Sequence, residues 1–449
     1  MTQAQSFALA LGLGVLAVLD GQDVKPVVKE QGYVPFADAP IGYRSENLSD
    51  PIAKLQKELD RGTVRLEYEP GHGYLRSVLR ALKVPVSSQT LVFSKTSFQY
   101  PKISPETPRA LYYNDDDYVG QVHDGKSLEF VSFDPVQGAI FYVMDEHRVD
   151  RPRFERSILD CIQCHVAAST KGVPGVMVRS VYTSPSGAQA AQTPAFITGQ
   201  DSPIGNRWGG WYVTGRVGSQ AHLGNAVLAL GATADRFTPG EILPDLTSRL
   251  DTSAYLTKYS DVVAHLVLAH QTQMHNLITL TSYRTRLALF GAPAGEVSDK
   301  ARSQIEGIGE QLVRYLLFTN EAPLEAPVAG TSGFAEEFAA RGPREAKGRS
   351  LRDFDLRTRI FRYRCSYLIY SEDFEALPAP AKEYIYHRLF EVLSGRDRSP
   401  EYAALPDEER RAILEILLAT KPGLPEEWKQ FAAQTDLAVR RPGLTDNRN

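Results

Sequence analysis

"SLEFVSFDP" (127–135) and "GAIFYVMDEHRV" (138–149) decide the fold class of this chain. Both runs are dense in aromatic and β-branched residues, the composition of strands. The same texture begins upstream in "TLVFSKTSFQY" (90–100) and "RALYYNDDDYVGQV" (109–122), with turn signals at Asn114–Asp117 and Asp124–Gly125. Four or five antiparallel strands are expected here.

Outside this block the period changes. "DPIAKLQKELDRG" (50–62) spaces Ile52, Leu55 and Leu59 for one helical face and stops at Gly62, and "GYLRSVLRAL" (73–82) forms a second short helix. Beyond residue 250 the pattern turns helical, longest at about 260–290, with further helices at 374–394 and 406–419. "GTSGFAEEFAARGPREAKGRS" (330–350) is expected as a crossover or surface loop. The fold class is therefore α+β, a β-rich centre with a C-terminal helical layer. The expected divisions are a signal peptide over 1–22, a loop with short helices over 23–89, a β-rich region over 90–245 and a helical region over 246–440.

With 449 residues the chain is long enough for a sizeable core. A net charge of −4 and no basic run interleaved with aromatics argue against nucleic-acid binding. "SFALALGLGVLAVL" (6–19) is uncharged, too short to span a bilayer and suited to the core of a secretory signal. Export to the periplasm or beyond is expected, with membrane association only if that leader is retained.

Between strands and helices stands "DCIQCH", residues 160–165. Three cysteines make no disulfide framework, and no second ligand pair completes a structural zinc site. A thiol-redox pair would leave His165 without a role. Covalent haem c uses all three residues: Cys161 and Cys164 as thioether sites, His165 as proximal iron ligand. One motif means one haem. Its position, a third of the way along and after a sheet, is not that of a small class I cytochrome c.

Several stretches together resemble a known family: "PRALYYNDDDYVG" (108–120), "CIQCH" with "GVPGVMVRSVY" (172–182), "RWGGWYVTG" (207–215) with "HLGN" (222–225), "HQTQMHNLIT" (270–279) and "RDFDLRTRIFRYRCSYLIYS" (352–371). The family is that of exported bacterial mono-haem c-type cytochromes, cytochrome c domain-containing proteins of about this length. The resemblance implies export and a single covalent haem c; it supplies no substrate and no mechanism.

The sixth iron ligand separates a closed electron-transfer centre from an open, reactive one. On the 260–290 helix, His270 and Met274 share a stripe with Val263, Leu266, Val267, Leu277 and Ile278, whereas His265 and His275 point away from it. His270 is the leading distal candidate, with His222 and Met274 as alternatives and Met177 behind them. Trp208, Trp211 and Tyr212 are candidates to wall the haem pocket, Arg179 and Arg207 to pair its propionates. "NDDDY" (114–118) lacks the spacing of an EF-hand calcium loop and is expected as a solvated turn, and Cys365 as a buried free thiol. The expected function is electron transfer with a periplasmic redox partner. The alternatives are a haem c enzyme acting on a peroxide or nitrogen oxide at an open iron, and a haem sensor or structural subunit.

Overall fold

The computed structural model describes residues 34–434. The expected signal peptide lies outside them. These residues form one compact unit. Its elements in order are α1 (Pro51–Asp60), α2 (Leu75–Ala81), β1 (Thr90–Val92), β2 (Arg109–Tyr113), β3 (Asp117–Gln121), β4 (Ser127–Asp134), β5 (Gly138–Asp145), β6 (Glu155–Arg156), α3 (Leu159–His165), β7 (Val178–Val181), β8 (Ala195–Thr198), β9 (Trp211–Tyr212), α4 (Val262–Leu289), α5 (Asp299–Leu316), α6 (Phe334–Ala340), α7 (Glu372–Glu375), α8 (Ala379–Leu393), α9 (Asp407–Thr420) and α10 (Glu426–Gln434). The fold is α+β, and among the described residues the helices longer than ten residues all follow residue 261.

Seven strands form one antiparallel sheet in the order β6-β5-β4-β3-β2-β1-β9, and β7 pairs with β8 in a separate hairpin. The two deciding runs are β4 and β5, paired along their whole length from Ser127↔Asp145 to Asp134↔Gly138. Directly paired residues share a face. Tyr113, Tyr118, Val131 and Phe141 thus make one cross-strand row, and Leu111, Gly120, Glu129 and Val143 the next.

The opposite face carries Ala110, Tyr112, Val119, Leu128, Phe130, Ile140, Tyr142 and Met144, all buried against Ile52 and Leu55 of α1 and Leu75, Val78 and Leu79 of α2. Apolar residues on both faces are the mark of a sheet covered on both sides.

Helix α4 crosses the first face obliquely. Tyr113 Oη donates to Ala264 O at 2.7 Å, Gln271 Nε2 to Tyr118 Oη at 2.9 Å, and Tyr283 Oη to Gln137 O at 2.6 Å. Between them His275 stacks on Phe133 with ring centroids 4.0 Å apart. Every residue from Val262 to Tyr283 is buried. The expected single apolar stripe is therefore corrected: over these residues α4 is enclosed on all sides, and His265 and His275 are as buried as His270.

Behind α4 pack α5, α8 and α9. Helix α5 was not singled out from the sequence because Gly307 and Gly309 dilute its helical signal. Gly309 is there for proximity: a Cβ would sit 2.6 Å from the Tyr384 ring of α8. The segment 330–350, expected as a loop, contains α6, whose Phe334 and Phe338 enter the core.

Candidate haem-attachment site

Helix α3 follows the edge strand β6 after two residues and places Cys161, Cys164 and His165 within seven residues. Cys161 and Cys164, at i and i+3, share one helix face. Cys161 is half-buried and Cys164 exposed, and no residue of α3 is fully buried. Burial pushes the Cys161 thiol up from its ordinary value. That is the opposite of the lowered pKa that activates a redox thiol.

His165 is fixed by its ring. Nδ1 lies 2.8 Å from Gly175 O, so Nδ1–H donates and Nε2 keeps its lone pair. The Phe141 ring on β5 packs at 4.8 Å between centroids. Burial, the largest influence, lowers the imidazole pKa and favours the neutral form a metal ligand needs; the Gly175 bond opposes this. Arg109 and Glu129 act on the same ring with opposite signs.

The Gly175 carbonyl is itself held. Asn276 of α4 accepts from Val176 N at 3.0 Å and donates to Val176 O at 2.8 Å. Gly175 must lack a side chain, since a Cβ there would lie 2.2 Å from Asn276 Oδ1. The central helix thus positions the motif histidine through one clamped loop.

Three of the expected distal residues are engaged elsewhere in the fold. His270 donates from Nδ1 to Gln200 Oε1 at 2.7 Å and accepts at Nε2 from Ser366 Oγ at 2.8 Å, so no lone pair is left for iron. Its ring stacks on Phe318 at 4.6 Å, and burial lowers its pKa to about 3. Met274 is fully enclosed in the core. His222 packs against Trp208 and accepts from Gly224 N at 3.2 Å. Trp208 O in turn accepts from the backbone of β9.

Strand β9 lies at the opposite sheet edge from β6. At about 4.8 Å per strand, β5 and β9 are separated by roughly 24 Å. Trp208, Trp211 and Tyr212 belong to that far edge and do not wall a pocket at His165. Met177, half-buried and next to the clamped Val176, is the one expected candidate beside the motif.

Arg207 is buried and ties its own loop, donating to Ser202 O at 2.8 Å and Gly199 O at 2.6 Å, while Arg179 reaches Gln189 Oε1 at 3.0 Å. The guanidinium on the motif's side is Arg109, which sequence reasoning missed. It meets Glu129 at 3.0 Å, and its Nε is buried without a partner.

The acidic turn is not solvated as expected. Asn114 Oδ1 accepts from Asp116 N and Asp117 N, Asp117 is buried against Ser132, and Asp115 pairs with Arg352. Cys365 is a buried free thiol. Among the described residues no group of three or more His, Cys, Asp or Glu is arranged to hold a metal ion, and no helix is long and apolar enough to cross a membrane.

The residues of the motif fit a covalent haem: two reachable thiols and an oriented neutral imidazole, with an unpartnered guanidinium nitrogen nearby. Compared with protein-family models, curated proteins and solved structures, the chain matches none.

Proposed function

We propose that the chain is an exported c-type cytochrome with one haem on Cys161 and Cys164, working in electron transfer. The observation that carries this reading is the fixed His165 ring, held through Nδ1 by Gly175 on a helix that stays at the surface. When bound, haem c supplies reversible one-electron chemistry at its iron. The chain's own part is to hold His165 neutral with Nε2 free, to fix that ring through Asn276, and to keep α3 within reach of a partner protein. Exposed Leu159, at 74% of its full area, lies on that surface.

The engagement of His270, Met274 and His222 elsewhere favours a second reading, an open iron position that admits a small molecule. The deciding experiment is an ultraviolet–visible spectrum of exported protein, oxidised and reduced, before and after carbon monoxide, with the intact mass measured alongside. Added haem mass and a low-spin spectrum indifferent to carbon monoxide support electron transfer, with Met177 the first residue to substitute. A spectrum shifted by carbon monoxide moves the function to the open-site reading. Absence of haem mass after expression with the maturation machinery refutes both.

A further inference from the structure

His275 stands where three parts of the fold meet: α4, the turn between β2 and β3, and α7. Its ring lies on Phe133 of β4, and Tyr118 of β3 meets it edge-on with centroids 6.1 Å apart. Nε2 is 2.8 Å from Asp115 O in the turn, and Nδ1 is 3.3 Å from Asp373 Oδ2 on α7. The His275 and Asp373 side chains are 0% and 6% exposed.

These partners fix the protons. A backbone carbonyl only accepts, so Nε2 must carry a hydrogen. A neutral imidazole has one N–H, which leaves a lone pair on Nδ1 pointing at a carboxylate oxygen, itself an acceptor. The contact at Nδ1 therefore requires a second proton, carried by the ring as imidazolium or by Asp373 as the acid. His270 requires none, because its partners are a glutamine oxygen and a serine hydroxyl.

The surrounding charges favour keeping that proton. Asp116 faces the pair from the turn, its carboxyl pushed up to about 7 by burial and then by Asp373; Asp115 lies beside it, and Glu372 precedes Asp373 on α7. The nearby cations are committed to acids: Lys54 of α1 pairs with Glu372 at 2.9 Å, and Arg352 pairs with Asp115. Asp117 is bonded to Ser132, and the Tyr118 and Tyr367 hydroxyls bracket Gln271, burial raising the pKa of all three. His270, on the same helix, is held neutral by burial.

We propose that His275 and Asp373 share one buried proton, and that this proton latches α7 to α4 and to the turn of the sheet beneath. Its withdrawal leaves two acceptors face to face in the interior, a costly arrangement because neither is repaid by water. The latch is closed at neutral pH and loosens in alkali, and it does not depend on the haem reading. Between about pH 4 and 6.5 the unfolded chain, with an ordinary histidine and aspartate, holds this proton too; above about 6.5 it gives the proton up. The folded chain then holds one proton more, so the latch's contribution is complete below about 6.5 and falls as pH rises, tenfold in the folding constant per pH unit.

Asp373→Asn keeps the shape and supplies the hydrogen permanently, from its amide to Nδ1. The full chain and this variant are compared by chemical denaturation between about pH 7.5 and 9, above the range in which Asp116 sheds its own proton. The folding constant of the native chain is expected to fall tenfold more per pH unit than that of the variant. Hydrogen exchange on the native chain alone gives a second reading, which stands if the variant does not fold. Phe374 N and Glu375 N of α7, bonded to Ser371, are expected to lose protection over the same interval after correction for the intrinsic rate. Parallel pH slopes in the two chains, or protection in α7 that stays constant from about pH 7.5 to 9, overturn the shared proton.

Discussion

Asn276 grips Val176 by both its backbone groups, N at 3.0 Å and O at 2.8 Å, from the buried stretch of α4. Replacing Asn276 by Ala leaves both groups buried and unsatisfied, which costs about 3 kcal/mol. Chemical denaturation is expected to show that loss. In the haem-loaded protein, the same substitution frees the Gly175 carbonyl and broadens the visible bands as His165 loses its fixed ring. A stability loss with an unchanged spectrum would mean that the clamp does not reach the histidine.

Gly175→Ala should be harmful because its Cβ would meet Asn276 Oδ1 at 2.2 Å. If that contact is the cause, the two substitutions are not additive. Gly175→Ala in an Asn276→Ala background should cost much less than in the native chain, as residues in contact share their energetic effect. Equal costs in both backgrounds would place the strain elsewhere.

His270→Ala separates a core histidine from an iron ligand. It strands Gln200 and Ser366 in the interior and should destabilise by about 3 kcal/mol. The visible spectrum of the haem-loaded protein should not change. A shift from low to high spin would restore His270 as the sixth ligand.

Burial, reinforced by Asp373, Asp115 and Glu372 and opposed by His275, pushes Asp116 up from its ordinary 3.8 to about 7. Lys54, paired with Glu372, also faces this group. The folded chain then binds more protons at Asp116 than the unfolded one between those pH values. Its contribution is most favourable below about pH 4 and is lost as pH rises to about 7. Asp116→Asn should remove that slope, so its thermal midpoint gains on the native protein's across the interval. His270 has the opposite sign: its pKa falls to about 3, so stability is full above about 6.5 and declines with acid. His270→Asn, which keeps a donor toward Gln200, should flatten the acid limb.

The sheet was legible because β4 and β5 carry uninterrupted aromatic and β-branched runs, and local composition suffices for such strands. The motif was legible because three residues within five positions spell it. The supporting residues were not, because Asn276, Gly175, Arg109 and Glu129 meet only through the crossing of α4 and the register of the sheet. A polar Asn in a helix surrounded by core, and a Gly followed by a clamped Val, were the available signals. The surroundings of His270 were hidden for a related reason. Helical periodicity showed a histidine on an apolar face but not the Gln200 and Ser366 groups that the chain brings to it from 70 and 96 residues away. Helix α5 escaped because Gly307 and Gly309 dilute its helical signal, the second of them serving contact with Tyr384.

The enclosure of α4 bears on how the site comes apart. Amide protons in the centre of such a helix exchange only when the whole molecule opens, while a surface helix such as α3 frays at far lower cost. Because His165 is tied to α4 through Asn276, the two regimes meet at a single loop. Exchange at Val176 should follow the slow global rate, and exchange in the first turn of α3 the fast local one. The histidine end of the motif then stays in register while the cysteine end is free to open, so that the thiols can be reached without unfolding the protein.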